Sequence, residues 1–102
     1  MTAQVIRGED LRDGGYGGIW GVGKAAKQPP ALVVLSYEPP EATETVAWVG
    51  KGIVYDTGGL SLKVGGGMVG MKSDMGGSAA MLAVSVRELA SVSPEQRDGK
   101  CR

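Results

Sequence analysis

The sequence predicts an α/β layer structure, and three observations carry that prediction. "ALVVLSY" (31–37) is an unbroken apolar, β-branched run, the pattern of a strand buried on both faces. "TVAWVGKGIVY" (45–55) is a second run, interrupted at Gly50 and Gly52. From Met75 onward, Ala79, Leu82, Val86 and Ala90 recur at helical spacing, with Arg87, Glu88 and Ser91 on the other side.

Taken in order, "GEDLRD" (8–13) reads as a short helix or a helix end stopped by Gly14 and Gly15. "YGGIWGVGKAAKQPP" (16–30) reads as a Gly-rich connection closed by Pro29 and Pro30. After the first strand, "EPPEATE" (38–44) is a surface turn, and "GLSLKV" (59–64) is a candidate third strand. Ser73 or Asp74 is the candidate N-cap of the helix, which should run to Leu89 or Ala90. "SVSPEQRDGKCR" (91–102) is polar, and residues 93–102 read as a tail to a single domain spanning 1–102. Two or three strands and one long helix make a thin layer whose apolar faces need partners. The chain therefore reads as part of a larger domain, incomplete by itself.

Composition removes several function classes. Eleven Lys and Arg balance eleven Asp and Glu, so nothing marks a nucleic-acid footprint or a polybasic membrane patch. No run approaches the roughly 18 apolar residues of a membrane span, and "MTAQVIRGED" has no signal-peptide core. The single cysteine, Cys101, makes no internal disulfide and fits a reducing compartment, so the expected location is cytoplasmic. There is no histidine, which excludes imidazole-based triads and His-built zinc sites within this chain. A metal site here must rest on carboxylates, carbonyls or an unusual nitrogen.

"VGKGIVYDTGGLSLK" (49–63) sets Lys51, Asp56 and Lys63 among Gly50, Gly52, Gly58 and Gly59. On a straight strand, residues five apart point to opposite faces, so Lys51 and Asp56 would not meet. Glycines on both sides of Lys51 allow a bulge or break that re-aims its side chain. The ordinary reading makes Asp56 an Asx-turn residue, both lysines solvated, and Asp74 a helix cap.

Three short matches compete for a function. "GIWGVGK" (18–24) fits the phosphate-loop pattern, but Ala25 stands where a Ser or Thr should hold magnesium, and no buried strand precedes it. "GGGMVG" (65–70) fits the dinucleotide fingerprint, yet its helix starts several residues too late to aim at a pyrophosphate. "DTG" (56–58) resembles the motif of dimeric aspartic proteases, in which two aspartates share a proton. Against it, the glycine run 65–67 follows the aspartate too closely for a flap, and a long helix sits poorly in an all-β barrel.

"WVGKGIVYDTGGLSLK" (48–63) and "MVGMKSDMGGSAAML" (68–82) together resemble the leucyl aminopeptidase (M17) family, nearest its probable aminopeptidase-like branch. "GGIWGVGKAAKQPPALVVLSY" (17–37) extends the likeness, which covers about residues 8–92. The resemblance implies part of the M17 catalytic domain, with a mixed sheet and flanking helices. It implies a metalloaminopeptidase that hydrolyses N-terminal amino acids from peptides with two divalent ions, zinc or manganese. Lys51, Asp56 and Asp74 fall on metal ligands, Asp56 bridging, and Lys63 falls on the catalytic lysine. Met71 falls on a residue lining the pocket for the first side chain, and intact members would form a homo-hexamer.

The physics suits those roles. A lysine ligates only as the neutral amine, against a free pKa of roughly 10.4, and nearby divalent ions favour loss of that proton. A bridging carboxylate holds two ions about 3.5–4 Å apart. The family's other motif, close to "NTDAEGR", has no match in "SPEQRDGKCR", and "VGGGM" (64–68) departs from the usual segment before Met71. With half the ligands, the chain is expected to hold at most one ion and to be inactive alone. The competing expectation is a non-catalytic isoform or interaction fragment.

Overall fold

The computed structural model describes the backbone of residues 1–91 and the side chains of residues 1–87. The expected tail, 93–102, and Cys101 lie outside the described residues. The chain packs as two compact units that divide after Glu38.

The first unit is built on a two-stranded antiparallel sheet. Strand β1 (Thr2–Arg7) pairs with strand β2 (Ala31–Ser36) in a register running from Thr2 opposite Ser36 to Arg7 opposite Ala31. Helix α1 (Glu9–Asp13) follows β1, and Gly8 makes the corner between them at φ 61°, its N–H donating to the Pro30 carbonyl at 2.9 Å. Glu9 and Asp10 in the first turn and Arg12 in the last complement the helix dipole. Leu11, on α1, is fully buried.

Helix α2 (Gly17–Gly23) corrects the expectation of an irregular connection over 16–30. Four glycines in seven residues argue against a helix on intrinsic preference. Packing against α1 outweighs that preference, and Arg12 lies over the Trp20 ring at 5.9 Å. The helix also disposes of the phosphate-loop match, because residues 18–23 are helical rather than a cradle of free N–H groups.

β2 forms where the sequence places a strand, but its faces are not covered as the apolar run implies. Val33 is 55% exposed and Val34 40%, so both faces meet solvent. The physical reason is that β1 is the strand's one sheet partner among the described residues, so no further strand extends the sheet to help bury it.

In the second unit the expected strands at 45–55 and 59–64 do not form; those residues run as irregular chain and turns. A strand needs a ladder partner, and none is offered among the described residues of that unit. A 3₁₀ turn (Met71–Ser73) leads into helix α3 (Gly76–Ser91). The helix therefore starts one to two residues later than a cap at Ser73 or Asp74 would give. Asp74 instead ends the 3₁₀ turn, its N–H donating to the Met71 carbonyl at 2.9 Å. The α/β class stands: a small sheet with helices.

Candidate functional site

The site lies in the second unit, where residues 50–63 run beside the 3₁₀ turn and the start of α3. Glycine sets the distance between them. A Cβ on Gly50 would stand 2.5 Å from the Gly77 carbonyl oxygen, and one on Gly52 2.6 Å from the Ser78 hydroxyl. One on Gly77 would meet the Lys51 backbone N at 3.1 Å. Backbone thus passes backbone with no room for side chains, and the Ser78 N–H donates to the Lys51 carbonyl at 2.9 Å.

That contact presents Lys51 to Asp74: Nζ donates to Oδ2 at 2.5 Å. Asp56 begins an Asx turn, its Oδ1 accepting the Gly58 N–H at 2.8 Å, as the ordinary reading of "DTG" expected. Gly58 (φ 88°) and Gly59 (φ 65°) supply the left-handed backbone this turn needs. The Lys63 N–H donates to the Thr57 carbonyl at 2.9 Å and closes the loop. Closure brings Lys63 Nζ to 3.4 Å from Asp56 Oδ2. The Gly58 N–H, then the Lys63 charge, hold the Asp56 carboxyl below its usual range, and the Lys51 charge adds to that. Met71 joins the group through its sulfur, which accepts the Asp56 backbone N–H at 3.0 Å.

The structure therefore gathers all five residues the sequence singled out. Lys63, Asp56, Lys51 and Asp74 form an array of alternating charge, and Met71 sits against Asp56. Sequence reasoning missed the part played by Gly77 and Ser78, which receive the Lys51 segment. The signal was the Gly76–Gly77 pair, easily taken as helix punctuation.

As a donor set, two carboxylates and one amine fit a single hard or borderline divalent cation. Here the two lysine ammoniums neutralise the two carboxylates. No cluster of three or more His, Cys, Asp or Glu side chains occurs among the described residues, so a second ion would need further donors.

Comparison with known proteins places the chain. The catalytic-domain profile of the cytosol aminopeptidase family, Peptidase M17, matches residues 1–97, and the chain belongs to that family of peptide hydrolases. It is 62% identical over 82 residues to the probable aminopeptidase NPEPL1 of Mus musculus, covering 80% of this chain and 16% of that protein. Leucine aminopeptidase 1 of Caenorhabditis elegans is 63% identical over 78 residues, covering 76% of this chain and 16% of its own length. A solved structure of Caenorhabditis elegans leucine aminopeptidase (LAP1) superposes with a TM-score of 0.75 at 60% identity, over 82% of this chain and 17% of that one. The chain thus spans about a sixth of the length of these relatives. Nothing in the comparisons supports an aspartic protease, and the helices beside "DTG" are foreign to an all-β barrel.

Proposed function

We propose that this chain carries the lysine–aspartate part of a two-metal aminopeptidase centre, used in the intact protein to release N-terminal amino acids from peptides. The convergence of Lys51, Asp56, Asp74 and Lys63 on one array carries the proposal. Lys51, as its neutral amine, with Asp56 and Asp74 would hold the cation, zinc or manganese. Divalent ions there would supply Lewis acidity for hydrolysis. Asp56 has one oxygen steadied by the Gly58 N–H and the other within 3.4 Å of Lys63 Nζ, and it lies between the two lysines in the array, which supports reading it as the shared ligand. Lys63 would direct its positive charge at the oxygen that becomes negative when the peptide carbonyl is attacked. Met71 borders the substrate's first side chain. The protein would act in the cytoplasm, and intact members would assemble as hexamers.

Calorimetric titration with manganese or zinc tests the ligand assignment. The 102-residue chain should bind at most one ion, weakly, and show no aminoacyl-amide hydrolysis alone. Asp56→Ala should lower the affinity at least tenfold, about 1.4 kcal/mol. Lys63→Ala should leave it nearly intact. Two tight ions, or unchanged binding in Asp56→Ala, would overturn the assignment.

A further inference from the structure

We propose that Met71 is a positioning residue, its thioether sulfur acting as the acceptor that fixes the Asp56 backbone. The inference rests on the reading of Asp56 as a metal ligand. Two hydrogen bonds hold the backbone of residues 50–56 to residues 71–78 among the described residues, beside the Lys51–Asp74 side-chain pair. One, Ser78 N–H to the Lys51 carbonyl at 2.9 Å, stands at Lys51. The other, Asp56 N–H to Met71 Sδ at 3.0 Å, stands at Asp56. The loop beyond Asp56 closes upon itself through Thr57 and Lys63, so that closure cannot fix its placement against the 3₁₀ turn. Both carboxylate oxygens of Asp56 are engaged within the same loop, by Gly58 and Lys63. The sulfur is thus the hydrogen-bonded anchor that sets where the Asp56 carboxylate stands relative to Asp74. A thioether is a weak acceptor, but it is long, unbranched and deformable, and it reaches an N–H that no carbonyl takes.

Met71→Leu keeps apolar bulk and removes the acceptor; Met71→Ala removes both. Amide hydrogen exchange, read residue by residue by NMR on the 102-residue chain, separates acceptor from packing. The Asp56 amide should be protected in the unmodified chain and exchange about two- to tenfold faster in both variants, the worth of one modest hydrogen bond. The Ser78 amide should keep its rate in Met71→Leu. Manganese affinity should fall by a similar factor in Met71→Leu. An unprotected Asp56 amide in the unmodified chain, or protection that survives in Met71→Leu, overturns the proposal. Faster exchange with unchanged manganese affinity also overturns it, while leaving Asp56 as a ligand. If the unmodified chain takes up no manganese, the metal reading fails, and the exchange rates still decide whether the sulfur holds Asp56.

Discussion

Asp56 shows what one residue type at one position can do in this fold. Its carboxylate closes an Asx turn on Gly58 and faces Lys63, and both contacts favour the ionised form. A group whose folded pKa is depressed adds stability that is fully present above its unfolded value, about 3.9, and is lost as pH falls through the lower folded value. Asp56→Asn keeps an oxygen for the Gly58 N–H but discards the charge. The variant should therefore be less stable than the parent at neutral pH and converge with it in strong acid. Thermal unfolding across pH 2–7 checks this; parallel curves would show that the charge contributes nothing. At this scale the sequence was informative, because ammonium and carboxylate groups among glycines have few uses in a buried strand. The pairing was less legible. Lys51 meets Asp74 rather than its near neighbour in sequence, and that follows from a contact with α3 that no local pattern encodes.

The elements divide by how local their causes are. α1, β2 and α3 were visible because acidic and basic ends, an apolar run and a helical period are written within each segment. The short alternation of β1 passed unnoticed, and α2 went against its own composition. The expected strands at 45–55 and 59–64 failed for the opposite reason: strand-like residues without a ladder. The glycines supply opposed tests. Gly21 lies within α2, where an added Cβ would meet nothing within 4 Å, so Gly21→Ala should stabilise the first unit by about 0.5–1 kcal/mol. Gly50→Ala would drive a methyl group into the Gly77 carbonyl and the Met81 side chain, with a cost of about 1–3 kcal/mol. It should also lower metal affinity, since Lys51 is the next residue. Denaturant titration of the two variants should move in opposite directions.

At the scale of the whole molecule, surface area decides the behaviour. Among the described residues Leu11 alone is a fully buried apolar side chain, whereas Leu60 (109%), Val49 (94%) and Val69 (87%) stand open to water. The strands expected at 45–55 and 59–64 do not form, and the apolar side chains expected to need partners are exposed in each unit. Large apolar side chains left open to water favour association. The 102-residue chain should self-associate with rising concentration and bind a hydrophobic dye such as ANS, and sedimentation should report masses above 10.5 kDa. Val49→Thr, Leu60→Gln and Val69→Thr together should weaken both effects. Each side chain is already exposed, so each change should alter stability by no more than about 0.5 kcal/mol. The three positions lie outside the Lys51–Asp74 and Asp56–Lys63 pairs, so metal binding should survive in the triple variant. A dye-silent monomer at high concentration would contradict the prediction. So would a triple variant that associates as strongly as the parent, because the driving surface would then lie elsewhere.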